Sequence, residues 1–457
     1  MSIIQGMLIF FAIVCLYFLI IFILKKMELL EKFNMTIQGP FLLIHTSKGI
    51  NFLKKISKKK RFWRAYGSTG VVICFIVMII MVTIFVWQAW MIFGLDLTPE
   101  QKASLPGPET ALILPGINPI LPLEYIFYIL LAFIVAIIVH EFSHGILALA
   151  QKIKVKSLGL IFIIIPMGAF CEPDEEELKK TQIVKRMRIY AAGPLSNFTV
   201  AFVLLLVFSF ILMPSIQHID GAEILYVYED TTAEEIGVSP GSVIISFNDT
   251  EIITIEDFSN AINKTSPNQQ VNISYSKMGV IYSDEIELKS LYNYTVSKNE
   301  SFKNITFFGV GFNIYGEYFT KSLREPLTYD FPSGFSILYG LPILGYMTGY
   351  NPIASPYNYN FEIIGPLSVL PTDIFWVIVN AVYWIFWLNL LVGIFNSLPI
   401  GPFDGGHLFN DALNLIVKKL RKNLNDEKRE KIVKNISLMI SLIVLFLILF
   451  PFFIKYF

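Results

Sequence analysis

Two histidines and a glutamate fall within five residues of an otherwise apolar stretch, Val139-His140-Glu141-Phe142-Ser143-His144-Gly145. On a helix, positions four apart share a face, so His140 and His144 can meet at one point. Neutral imidazole nitrogen is a ready zinc ligand. Glu141 follows the first ligand by one position and therefore points beside the metal. There it can take a proton from a water whose pKa zinc lowers to about 7. The chain has five histidines in all, so two at this spacing call for an explanation. The plain alternative is a polar cluster satisfied in a helix interface. Ionisable groups in an apolar helix are costly, however, and point to function by default.

A catalytic zinc needs a third protein ligand and an open position. The candidates are Asp404, His407, Glu172 and Asp174. Asp404 is the first choice. It lies in Asn396-Ser-Leu-Pro-Ile-Gly-Pro-Phe-Asp404-Gly-Gly-His407, where a long apolar helix ends in a Pro- and Gly-broken backbone. Such backbone is tolerated at membrane depth where it lines a cavity. An Asp-Gly turn, or a cap on the following helix, is the simpler alternative. His407 is the second choice. Glu172 and Asp174 read more simply as a solvated acidic turn and helix start. A third element, Ala192-Gly-Pro-Leu-Ser-Asn197, opens another apolar run. Gly-Pro at a helix entry is ordinary punctuation. Asn197 or Asn396 could bind substrate backbone or stabilise an oxyanion, and helix–helix hydrogen bonding is equally open for both.

The elements around these residues are apolar. Of 457 residues, 54% are hydrophobic and 16% charged, with mean hydropathy +0.59 and net charge zero. This composition points to a membrane protein and gives no sign of a nucleic-acid partner. The three cysteines form no CxxC pair, so neither a disulfide framework nor a thiolate zinc site is indicated. Runs of spanning length are expected at about Ile4–Leu24, Gly70–Leu95, Leu121–Ala150, Ile189–Met213, Pro371–Leu398 and Ile436–Phe457. Leu158–Phe170 is too short to span as a helix and reads as strands or a re-entrant segment. Lys and Arg concentrate in 25–69, 151–188 and 418–434. Six spans put all three segments on one side, which is then cytoplasmic, with both termini outside. The loops 96–120 and 214–370 would lie outside. Asn-x-Ser/Thr sequons at Asn248, Asn263, Asn272, Asn293, Asn299 and Asn304 suit an external surface, or arise by chance in an Asn- and Thr-rich segment.

Residues 221–290 form a soluble island with strands expected at Ile224–Tyr228, Val243–Phe247, Val271–Tyr275 and Glu285–Leu288. A helical turn at Ala233–Ile236, a tight turn at Asn248-Asp249 and a helix at Ile255–Ile262 complete it. The order, and the stretch "AEEIGVSPGSVIISFNDTEI", resemble a PDZ domain, which implies binding of extended peptide at a sheet edge. Residues 291–370 are rich in Tyr, Phe, Asn, Gly and Pro, and Gly334–Met347 is expected in the membrane interface or re-entrant.

The three motifs together resemble the site-2 protease family. HExxH matches His140–His144, Gly-Pro-x-x-Asn matches Gly193–Asn197, and Asn-x-x-Pro-x-x-x-x-Asp-Gly matches Asn396–Gly405. The resemblance covers about 121–214 and 371–410 with the inserted PDZ-like domain. It implies an intramembrane zinc endopeptidase with one Zn2+ per chain and Asp404 as third ligand. It also implies transmembrane protein substrates cut in regulated intramembrane proteolysis. The apolar strands near Ile161–Phe170 resemble the family's membrane-associated sheet, which would hold unwound substrate. A non-enzymatic membrane adaptor and a metal transporter are the competing classes. Intact HExxH and Asp404 argue against the first, and the scarcity of polar residues in the first, second and last spans against the second.

The expected fold is a polytopic α-helical membrane protein with about six spanning helices, an extramembrane PDZ-like α/β domain and a small membrane-associated β element. Its parts are two accessory spans with a basic cytoplasmic loop (1–120), a first catalytic part (121–214) and the PDZ-like domain (215–290). An external or interfacial extension (291–370), a second catalytic part (371–410) and a basic loop with the last span (411–457) follow. The expected location is the cell membrane, with the PDZ-like domain extracytoplasmic and the active site nearer the cytoplasmic face. A substrate tail would occupy the PDZ-like domain.

Overall fold

The computed structural model describes residues 3–454 other than 95–97, 99–101, 103–106, 108–109, 111–114, 164, 296–298 and 331. Among the described residues, five helices are long and apolar enough to cross a membrane: Lys60–Phe93, Leu123–Ala150, Ile183–Ser215, Thr372–Ser397 and Asp426–Phe452. They coincide with five of the six expected spans. The first expected span forms the helix Ile3–Lys26. The expected span ends at Leu95 and Phe457, and much of the loop 96–120, lie outside the described residues. Large apolar side chains face outward along these helices, with Ile79, Trp90 and Phe127 at 65%, 69% and 80% exposure. A soluble protein would bury such a surface, whereas lipid accepts it.

The chain divides into two compact units. The first comprises Met1–Leu112, Ile126–Val203 and Trp384–Phe457, the second Ile113–Tyr125 and Leu204–Tyr383. In the first unit, strands β1 (Met35–Gln38), β2 (Phe41–Thr46), β3 (Val155–Ile163) and β4 (Ile165–Pro173) form an antiparallel sheet in the order β1-β2-β3-β4. The expected strands near Leu158–Phe170 are β3 and β4. The sequence reading placed no strand in the basic segment 25–69, and the structure places two there. They are four and six residues long, and Gly39, at φ 61°, supplies the turn that joins them. A polar row crosses all four strands. Thr36 Oγ1 lies 2.7 Å from His45 Nε2, and His45 Nδ1 lies 3.0 Å from Ser157 Oγ. Ser157 in turn donates to Glu172 at 2.6 Å.

In the second unit, the expected strands and helix of 221–290 appear as β6 (Ala222–Val227), β7 (Val243–Phe247), β9 (Gln270–Lys277), β10 (Val280–Glu287) and the helix Ile255–Ile262. The sheet runs β10-β9-β7-β6-β13, where β13 is Val310–Phe312, with the short β8 (Thr250–Glu251) on β7. Asn248 and Asp249 both take positive φ, 49° and 61°, as a two-residue hairpin turn between β7 and β8 requires. A capping box of Thr254 and Asp257 starts the helix. Buried Ile224, Ile244, Phe247, Phe258, Ile273 and Tyr275 form the core. Strand β13 (Val310–Phe312) comes from the segment without a sequence-level account, so the sheet reaches beyond residue 290. The expected interfacial stretch forms a helix, Ser333–Thr348, of 16 residues. At 1.5 Å per residue it is about 24 Å long, too short to span.

Glu223 on β6 is a buried carboxylate. Asn313 Nδ2 donates to its Oε2, and Asn360 Nδ2 donates to Oε1 at 2.6 Å. His218, on β5 (Ile216–His218), has Nε2 3.7 Å from Oε2. Burial alone would lower the His218 pKa, but the nearby carboxylate of Glu223, with the Ile219 carbonyl and Asp220, holds it above its ordinary 6.5. A raised folded-state value means stabilisation that is complete below about pH 6.5 and fades as pH climbs through the raised value. The melting temperature of wild type should therefore fall between pH 6 and pH 9 more than that of His218→Gln. Equal falls in both proteins would remove the ion pair from the account.

Candidate active site

The helix Ile126–Ala150 buries Ile129, Ala132, Ala136, His140, Ser143, Leu147 and Ala150, spaced three and four apart on one face. Small residues on that face let neighbouring helices come close, which brings other parts of the chain within reach of the two imidazoles. His144 follows His140 by one turn, and the rings stand 4.8 Å apart, edge to face.

Asp404 opens the helix Asp404–Leu420 after the Pro- and Gly-rich break. Its Oδ2 lies 3.0 Å from His140 Nε2 and 3.1 Å from His144 Nε2. The three ligand atoms lie within 4.8 Å of one another, the single His/Cys/Asp/Glu group of metal-binding geometry among the described residues. The outer ring nitrogens are engaged elsewhere. His140 Nδ1 is 2.7 Å from Asn197 Oδ1, and His144 Nδ1 is 2.8 Å from the Ile189 carbonyl oxygen. Both partners accept, so each Nδ1 carries the proton and each Nε2 turns a lone pair toward the carboxylate. Three electron-rich atoms converge on one point, and a cation resolves their repulsion. Two imidazoles and one carboxylate fit a catalytic zinc with its fourth position open.

Glycines admit this packing. A Cβ on Gly193 would stand 2.5 Å from Nε2 of both His140 and His144. A Cβ on Gly145 would stand 2.8 Å from Cys171 Sγ on β4. Strand β4 thus lies against the helix, and the Cys171 backbone N–H donates to Glu141 Oε2 at 3.0 Å.

The remaining sequence candidates separate clearly. Asn197 is fully buried, and its amide donates to the Ala136 carbonyl at 3.0 Å and to Asn389 Oδ1 at 2.9 Å. Asn396 is half-buried and donates to the Val392 carbonyl of its own helix at 3.1 Å. His407 stacks on Tyr190, ring centres 5.0 Å apart. Asp174 caps the helix Glu175–Lys180 by accepting from Glu176 and Glu177 N–H groups. Asn389 went unnoticed at the sequence level. The signal was there, since it is a polar residue deep inside an apolar run.

A model of peptidase family M50 matches residues 128–444. The chain belongs to peptidase family M50. This is the site-2 protease family, and its member described here is a zinc metalloprotease. Similar proteins include the uncharacterized protein MJ0971 of Methanocaldococcus jannaschii, 25% identical with 91% of each chain covered. CPE1693 of Clostridium perfringens, which carries a zinc metalloprotease name, is 21% identical over 65% of this chain and 89% of its own. Zinc metalloprotease RasP of Shouchella clausii is 24% identical over 52% of each chain. The M50 match runs from the helix of His140 to beyond Asp404 and so contains the whole cluster.

Gly193→Ala should reduce zinc affinity at least tenfold by placing a methyl group at the ligand nitrogens. Asn197→Ala should cost about 10–100-fold by releasing the His140 ring. Metal content and chelator competition on purified protein test both, and wild-type affinity in either variant would contradict the assigned geometry.

Proposed function

We propose that the chain is an intramembrane zinc endopeptidase that cuts transmembrane segments of other membrane proteins in regulated intramembrane proteolysis. The observation that carries this reading is the convergence of His140, His144 and Asp404 on one point, with both histidines on a helix apolar and long enough to span. One Zn2+ per chain is held by these three residues. When bound, zinc polarises the scissile carbonyl and acidifies a water. Glu141, with Oε2 held by the Cys171 N–H, takes the water's proton and returns it to the leaving amine. Asn197 keeps His140 in its ligating orientation, because both of its amide hydrogens are already donated within the protein. Contact with the substrate backbone or a developing oxyanion falls to Asn396.

The remaining assignments extend this reading. The sheet of the second unit is proposed as a PDZ-like module that takes a substrate tail as an added strand. Helix Ile3–Lys26 is proposed as a sixth span. The concentration of Lys and Arg in 25–69, 151–188 and 418–434 supports a reading in which the ligand-bearing end of the helix faces the cytoplasm and the PDZ-like module lies outside the cell membrane.

Glu141→Gln should keep zinc at wild-type stoichiometry and lose cleavage of a co-expressed tagged membrane substrate by about 100-fold or more. Residual cutting at the wild-type rate would remove Glu141 from the chemistry.

A further inference from the structure

The two parts of the metal cluster lie 260 residues apart in sequence, counted from His144 to Asp404. Something must set the Asp404 helix in register with the histidine helix. The helix Ile183–Tyr190 touches both. Its Ile189 carbonyl accepts from His144 Nδ1. One turn earlier, Arg186 forks onto Asp411, with Nε donating to Oδ2 at 2.7 Å and Nη2 donating to Oδ1. Asp411 stands seven residues after Asp404 on the same helix, two turns further along the same face. The face that offers Asp404 to the imidazoles therefore offers Asp411 to Arg186. Asp411 is buried, at 3% exposure, and Arg186 also donates to the Lys179 carbonyl at 3.4 Å. Between these polar ends, buried Met187 and Ala191 pack with Cys74 and Leu408, and Tyr190 stacks on His407.

We propose that Arg186 and Asp411 form a positioning pair that fixes where Asp404 stands relative to His140 and His144, an inference that rests on reading those three residues as the metal ligands. A guanidinium–carboxylate fork fixes direction as well as distance. A carboxylate two turns along a rigid helix transmits that constraint to residue 404. The pair acts through the third ligand.

The test uses full-length protein in detergent. The zinc dissociation constant is measured by competition with a chelator of known affinity, and the melting temperature of metal-free protein is recorded alongside. Asp411→Asn and Arg186→Gln should each weaken zinc binding about 10–100-fold, as loss of an outer partner does. The double variant should be no weaker than either single one, because the two residues act as one pair. The exchange variant, Arg186→Asp with Asp411→Arg, should recover part of the affinity, which a purely structural loss would not. Folded single variants with affinity within twofold of wild type overturn the proposal, as do additive losses in the double variant. Should Asp411→Asn fail to fold, Arg186→Lys keeps the charge but not the fork. Weakened zinc binding is then expected, and unchanged affinity overturns the pair. A wild-type protein that takes up no zinc would instead sink the metal-centre reading, so the two failures are distinct.

Discussion

Two imidazoles and a carboxylate brought together in an apolar helical setting must be paired, and nearly every other feature of the first unit serves that pairing. An uncompensated ionisable group away from water is expensive. Here the compensation is layered. Each histidine spends its outer nitrogen on a fixed oxygen, one from the Asn197 side chain and one from the Ile189 carbonyl. Each turns its inner nitrogen toward Asp404. The proton positions then follow from the backbone and the amide, and the lone pairs are committed to a cation before one arrives.

Close packing is the second requirement, and it explains the glycines. Gly193 faces the ligand nitrogens, and Gly145 faces the sheet. A Cβ on Gly405 would stand 2.3 Å from the Ser397 carbonyl oxygen, so the start of the Asp404 helix is tucked against the end of the preceding one. In all three places the missing side chain is what lets neighbouring segments pack closely around the site. The motif glycines are thus steric permissions, whereas the motif histidines and acids are chemistry.

Much of this was legible in the sequence. His140, Glu141 and His144 announce themselves because helical spacing is a local property and polar residues stand out against an apolar run. The strands and helix of 221–290 were readable for a related reason, since alternation, turn residues and a capping pair are all short-range. Asp404 needed more. Its broken backbone made it the first choice among four candidates, and motif resemblance strengthened that choice before any geometry did. Strands β1 and β2 were missed because four and six residues in a lysine-rich segment carry too little pattern, and they are strands only because β3 is there to pair with. Asn389 stood out as a polar residue in an apolar run and was passed over, whereas Ile189 and the Arg186–Asp411 fork were beyond reach for the same cause. Each partner is defined by a tertiary contact between distant segments.

The distance along the chain between the two parts of the cluster has a temporal meaning. Ribosomes deliver about 5–20 residues per second, so an interval on the order of tens of seconds separates emergence of the histidine pair from that of its carboxylate, 260 positions later. Throughout that interval the nascent polypeptide holds an incomplete set of donors. On the reading proposed above, activity is withheld until the whole intervening sheet module has been made, which spares neighbouring proteins at the insertion site from a half-built protease.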